Sequence, residues 1–214
     1  RDSRWISKLL LAGLLRGSFI PPRDIRELRD LIRYKKRQVE HVASEKNRLI
    51  RILEDANIKL STVLTEVHGA TGSKIINDII DGKTNVDDLM KHIHGKVKAN
   101  REDIRKALEG KLTAHHRFML NIIRKSIEEK EGIIGELEQH IDRATAQYAV
   151  EIDLLQTIDG VGKDSAISII SEIGVDMNQF PNEHHLSSWA GLSPGNNESA
   201  GKKKAQGQLR ETAT

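Results

Sequence analysis

The chain has 214 residues, a formal net charge of +3, 30% charged and 37% hydrophobic residues, and only 3% aromatics. Without cysteine it forms no disulfide and no cysteine-ligated zinc site, which suits a reducing cytoplasm. Its longest purely apolar run, Leu9 to Ala12, is far short of the roughly 20 residues of a membrane helix, and no secretory signal is visible.

Such a composition favours long, partly solvated helices over one large round core. With 34 Lys and Arg and a pI near 9.1, a polyanionic partner is compatible. From Asp2 the spacing predicts a helix to Leu15, with Asp2 or Ser3 as N-cap, apolar positions at Ile6, Leu9, Leu10 and Leu14, and Gly17 as its stop. After the breaker Phe19-Ile20-Pro21-Pro22, a long helix is predicted from about Asp24 to Asn57. Its apolar or long-stemmed residues are Ile25, Leu28, Ile32, Lys35, Val39, Val42, Lys46, Leu49, Leu53 and Ala56. Their steps alternate three and four, the heptad signature of a coiled coil, with Lys35 and Lys46 as polar interruptions of the kind that set register. The face carrying Arg33, Lys35, Lys36, Arg37, Lys46, Arg48 and Arg51 either tracks a phosphate backbone or is simply solvated.

Shorter helices follow to Leu112, broken at Gly69, Gly72, Gly82, Gly95 and Gly110, with Asn85 as cap for Val86 to His92. This insert is expected at the tip of a helical hairpin. A second long helix is predicted from His115 to about Ile158, its seam running through Met119, Ile123, Ser126, Lys130, Ile133, Leu137, Ile141, Ala144 and Tyr148. The two heptad segments pair antiparallel within one chain or between chains. Neither half buries its stripe alone, so an oligomer is expected. The His pairs lack the i, i+4 spacing of a zinc protease, and no ATPase-type phosphate loop is present.

The most informative stretch runs from Leu154 to Lys204. LLQTIDGVGKDSAISIISEIG fits two helices around a Gly160-Val161-Gly162 turn, a helix-hairpin-helix in which both glycines are expected to take φ > 0. The amides of Gly162, Lys163 and Asp164 would open a helix N-terminus to which a phosphate can bind, although a plain αα-hairpin has the same pattern. Beyond it, WAGLSPGNNESAG places Ser193 and Ser199 in a polar loop, followed by Lys202, Lys203 and Lys204. A serine among small residues with positive charge nearby can present its hydroxyl to a phosphodiester; a surface loop with a solvated lysine run is the alternative.

These segments, together with DSRWISKLLLAGLLRGSFIPP, IRELRDLIRYKK, NRLIRILEDANIKLSTV and HHRFML, resemble the DEDD-type insertion-sequence transposases over nearly the whole chain. The resemblance implies a mainly α chain: a long antiparallel coiled-coil hairpin followed by a small transposase domain containing the helix-hairpin-helix. Residues 1–22 would be the end of a RuvC-like domain, 23–152 the coiled-coil region with a helical insert at about 58–112, and 153–214 the C-terminal domain. It also implies strand exchange on DNA through a covalent link to a serine, directed by a structured guide RNA, in a bacterial or archaeal cytoplasm at the nucleoid. Ser199 matches the serine loop, while Ser193, before Pro194, reads as turn chemistry. Asp2 matches the last acid of a four-carboxylate magnesium site, although by itself it reads as a helix cap. Lys163, Lys202, Lys203 and Lys204 would neutralise phosphates. The chain opens at Arg1 inside a family motif, and AQGQLRETAT follows Lys204 where a basic stretch and a final helix are implied, so a fragment, inactive alone, is expected. A non-catalytic coiled-coil and hairpin binding or oligomerisation module is the alternative.

Overall fold

The computed structural model of the protein describes residues 2–15, 19–93, 97, 99–190, 198–199 and 202–203. As expected, the chain is mainly α. The helices are α1 (Asp2–Leu11), α2 (Arg23–Asp55), α3 (Leu60–Val63), α4 (Ala70–Ile80), α5 (Val86–Leu89), α6 (Arg101–Leu108), α7 (Ala114–Thr145), α8 (Ala149–Gln156), α9 (Lys163–Ile173) and α10 (Glu183–Trp189). Two-residue strands β1 (Glu198–Ser199) and β2 (Lys202–Lys203) pair antiparallel. Two compact units divide the chain: Arg1–Pro22 with Ile173–Thr214, and Arg23–Glu172.

The larger unit is built on α2 and α7, each about 50 Å long at 1.5 Å per residue. They run antiparallel. Lys35 Nζ lies 2.9 Å from Glu138 Oε1 and Lys46 Nζ 2.8 Å from Glu131 Oε1. Near the far end His116 Nε2 meets Asp55 Oδ2 at 2.9 Å. The two lysines that interrupt the heptad therefore find carboxylates on the opposing helix and fix the register, while Leu28, Val42, Leu49 and Leu53 bury their side chains. The stripe of α2 is covered by α7 of the same chain. The seam departs from the heptad at one place: Gln38 is buried (8% exposed), and Val39 is 47% exposed. In this register the nearby stretch of α7 carries Gly132 and Gly135, where an added Cβ would meet nothing within 4 Å.

At the tip, α3, α4 and α6 share one core with the ends of the long helices, including Leu53, Ile58, Leu60, Ile75, Ile79, Ile104 and Leu120. Backbone bonds from Lys59 N–H to Ala107 O and from Lys111 N–H to Ala56 O, both 2.8 Å, close it. Of the expected breaks, Gly69, Gly82 and Gly110 lie between helices, Gly72 lies within one, and Gly95 falls outside the described residues. Gly82 (φ +90) does end α4. Gly72 lies inside α4, where a Cβ would sit 1.9 Å from Val67 O, and at Gly110 it would sit 2.4 Å from Ala56 O. Close packing requires glycine at both positions, and Gly72 breaks no helix. Asn85 caps α5 as expected, its Oδ1 accepting from Asp87 N–H at 2.9 Å. Thr113 and His116 form a capping box at the start of α7. Because His116 Nδ1 accepts from Thr113 N–H, its Nε2 carries the proton given to Asp55.

The second long helix does not reach Ile158. It stops at Thr145, whose buried Oγ1 donates to Ile141 O at 2.8 Å, and a 3₁₀ turn at Ala146–Tyr148 redirects the chain into α8. The Tyr148 hydroxyl donates to Asp24 Oδ2 at the start of α2. This bend lays α8 and α9 against the base of the pair, burying Ile25, Leu28, Ile141, Ile152, Ile167 and Ile170 together. The Arg29 guanidinium secures the arrangement: Nε donates to Ser171 O at 3.0 Å and Nη2 to Glu172 O at 2.7 Å. Arg29 thereby satisfies the last carbonyls of α9, the groups a helix leaves unpaired.

In the smaller unit α1 ends at Leu11, earlier than Leu15. Gly13 (φ +68) closes it, with Leu14 N–H to Leu9 O and Gly13 N–H to Leu10 O both at 3.0 Å, a Schellman cap. Gly17, the expected stop, lies outside the described residues. Phe19, Phe180 and Trp189 form a cluster with ring centroids 5.4 to 6.0 Å apart. Asn182 caps α10 through His185 N–H at 3.1 Å.

Candidate nucleic-acid interface and serine segment

The hairpin of α8 and α9 turns at residues 157–162. Val161 N–H donates to Ile158 O at 3.0 Å, and Ala166 N–H to Gly162 O at 2.9 Å opens α9. Only Gly160 needs the left-handed region, at φ +86; Gly162 does not, contrary to the expectation for both. What Gly162 offers is space, since a Cβ there would meet nothing within 4 Å. That leaves its backbone open to approach from solvent.

Charge around this turn is mixed. Lys163 Nζ lies 2.8 Å from Asp142 Oδ1 of α7, and both side chains are largely exposed. The hydrogen bond to Lys163 holds the Asp142 carboxyl below its ordinary value, and the same bond holds the Lys163 ammonium above its own. Asp159 and Asp164 add two more exposed carboxylates. Beside the turn, a groove of about 290 Å³ is lined by Ile32, Lys35, Lys36, Val39, Asp164 and Ile167, among others.

The basic face expected on α2 is largely spoken for. Arg33 pairs with Glu172 at 3.0 Å and Arg48 with Glu45 at 3.3 Å, while Lys35 and Lys46 bridge to α7. Among the described residues Lys36, Arg37 and Arg51 are exposed and form no ion pair. These three are the cations of that face open to phosphate.

The serine segment is described only in part. The backbone of Ser199 pairs with that of Lys202, and Glu198 with Lys203, so the ladder brings the main chain of the serine and of the lysine run side by side. Ser193 and Lys204 lie outside the described residues, as do the side chains of Ser199, Lys202 and Lys203. Asp2 is the first residue of α1, its side chain likewise outside. The segments bearing Asp2 and Ser199 fall in the same compact unit, whereas Gly160, Gly162 and Lys163 belong to the other. Among the described residues no group of three or more His, Cys, Asp or Glu is placed to hold a metal ion. Asp2 alone would be a weak magnesium site. No described helix is long and apolar enough to cross a membrane.

Three features were not read from the sequence: the Asp142 partner of Lys163, the Arg29 clamp on α9, and the aromatic cluster of Phe19, Phe180 and Trp189. The first two join residues far apart in the chain, for which spacing carries no signal. The third had one, because aromatic side chains are scarce, and Phe19 opens the breaker while Trp189 opens the WAGLSPG segment.

Two family models match the chain. A transposase model of the DEDD type of insertion sequence IS110 covers residues 1–58. A second, described as the IS116/IS110/IS902 transposase family, covers residues 152–213. No curated protein and no solved structure matches. Asp2 lies within the first match, and the hairpin glycines, Lys163, Ser199 and the lysine run within the second: the chain belongs to the IS110-type transposases.

Proposed function

We propose that this chain works in DNA strand exchange between an insertion sequence and its target, with Ser199 as nucleophile. The observation that carries the proposal is the second family match, which spans both the hairpin and the serine segment with its lysines. In the step proposed, Ser199 Oγ attacks a DNA phosphorus. A bond between Oγ and phosphorus forms, the bond to one deoxyribose oxygen breaks, and the serine proton ends on that oxygen. Attack by a hydroxyl of a second strand reverses the step, so one phosphodiester is exchanged for another without an outside energy source. Lys202, Lys203 and Lys204 supply charge where the pentavalent phosphorane carries its extra negative charge.

The resemblance further implies divalent metal, a structured guide RNA and a homo-oligomer. The acids among the described residues do not make up a metal site. Guide-RNA pairing would leave the protein to hold nucleic acid by shape and backbone charge, and the open approach at Gly162 together with Lys36, Arg37 and Arg51 supports that reading. Sedimentation checks the oligomer: a dimer or larger is expected, and a strict monomer at high micromolar concentration would remove it.

The chemical step is tested with a version of the protein carrying the family's complete acidic set and its guide RNA. On a nicked suicide substrate it should trap a covalent protein–DNA adduct. Replacing Ser199 by alanine should abolish the adduct and leave RNA binding nearly unchanged, whereas Ser193→Ala should spare it. An adduct that survives without Ser199 and vanishes without Ser193 would transfer the role to Ser193.

A further inference from the structure

Lys163 is the cation that the hairpin would offer to a phosphate, yet its ammonium already has a partner on another helix. Asp142 lies 21 residues earlier, on α7, and its Oδ1 is 2.8 Å from Lys163 Nζ. The two acids next to the turn in sequence, Asp159 and Asp164, are not the ones bonded to it. Both members of the pair are exposed, with side-chain accessibilities of 60% for Lys163 and 59% for Asp142. Neither is held by surrounding packing. The second lysine at this junction, Lys35, is likewise engaged, with Glu138 at 2.9 Å.

We propose that Asp142 is an internal competitor of phosphate for Lys163, and that it sets the affinity of the α8–α9 hairpin for nucleic acid. The proposal rests on the reading of that hairpin as a phosphate-binding element. A carboxylate and a phosphodiester each carry one negative charge, so transferring Lys163 from one to the other gains little. The released carboxylate then remains beside the bound phosphate as a like charge. A strand binds the hairpin only when other contacts outweigh this exchange, so the device disfavours short or isolated phosphates and favours substrates that engage several cations at once. Because the pair is exposed, its strength is that of a surface ion pair, and removing the competitor should tighten binding roughly one-and-a-half- to fivefold. The gain should be largest at low ionic strength and fade as the screening length falls from about 10 Å at 0.1 M salt to about 3 Å at 1 M.

The test measures binding of a fluorescently labelled four-way DNA junction to the 214-residue chain and its variants, each first checked for an unchanged helical circular-dichroism melt. Asp142→Asn should tighten binding by that factor. Glu129→Gln, which removes an exposed acid elsewhere on α7, should give only the smaller gain owed to net charge. In a Lys163→Met background the additional benefit of Asp142→Asn should shrink to what relief of the like-charge repulsion alone supplies. If Asp142→Asn gains no more than Glu129→Gln, or keeps its full advantage without Lys163, the competitor role is overturned. If Lys163→Met and Gly162→Val both leave affinity unchanged, the phosphate-binding reading of the hairpin falls instead. Absence of binding by both the parent chain and Asp142→Asn would overturn the two together.

Discussion

Replacing Arg29 by methionine should be among the most damaging single changes in the larger unit. Its side chain is only 18% exposed, and its guanidinium makes two hydrogen bonds to the last carbonyls of α9, at 3.0 Å to Ser171 O and 2.7 Å to Glu172 O. A hydrogen bond with a charged partner contributes about 1.5–3 kcal/mol. Glu172 is half exposed, so water can replace part of what is lost there, whereas Ser171 is buried. A net cost of about 2–4 kcal/mol follows, a large share of the roughly 5–15 kcal/mol that holds a domain together. Urea unfolding followed by circular dichroism should show the midpoint falling by about 1 M or more at an m-value near 2 kcal/mol/M. Arg29→Lys should recover less than half, since an ammonium cannot present a two-pronged fork to both carbonyls. Glu172→Gln should cost under about 1 kcal/mol, because its pairs with Arg29 and Arg33 are partly exposed. A loss below about 0.5 kcal/mol for Arg29→Met, or an equal loss for Glu172→Gln, would refute the capping argument.

Two glycines should respond in opposite directions. Gly72→Ala forces a Cβ to within 1.9 Å of Val67 O and should destabilise by about 1–3 kcal/mol or more, whereas Gly132→Ala meets nothing within 4 Å and should stabilise α7 by about 0.5–1 kcal/mol; thermal melts of the pair give the contrast. Burial and the bond to Asp24 push the Tyr148 hydroxyl up from 10.0 to about 12, so its contribution is complete below pH 10 and is lost as pH rises toward 12. Unfolding curves across that window should fall less steeply for Tyr148→Phe than for the parent chain. His68 is held below its ordinary value of 6.5 mainly by burial, so its contribution is present above 6.5 and is lost as pH falls below it. His68→Gln should flatten that acid limb, and an unchanged slope would exclude His68 as its source.

Much of the fold was legible because it follows from period. The heptad from Ile25 to Ala56 predicts a long helix with a partner, and the structure supplies α7, with Lys35 and Lys46 setting register through Glu138 and Glu131. Caps were legible where one side chain decides them, as at Asn85. The premature end of α7 was not, because apolar spacing continues through Tyr148 while the bend depends on the buried Thr145 hydroxyl and on Asp24, over a hundred residues away. Nor could Gly72 be told from a helix breaker, since the constraint is the carbonyl of Val67 pressed against it. In the candidate site, the turn at Gly160 was readable from composition. The engagement of Lys163 with Asp142 was not, because it depends on the bend that returns α9 to α7.

Locating the DNA on the protein tests the serine mechanism most directly. A recombinase carrying the family's acids and guide RNA would be trapped on a suicide substrate, digested with nuclease and protease, and its peptides sequenced by mass spectrometry. A nucleotide phosphate is expected on the peptide containing Ser199, at the Ser199 oxygen and nowhere else. A nucleotide carried by Ser193, or cleaved DNA with no nucleotide left on any peptide, would contradict it.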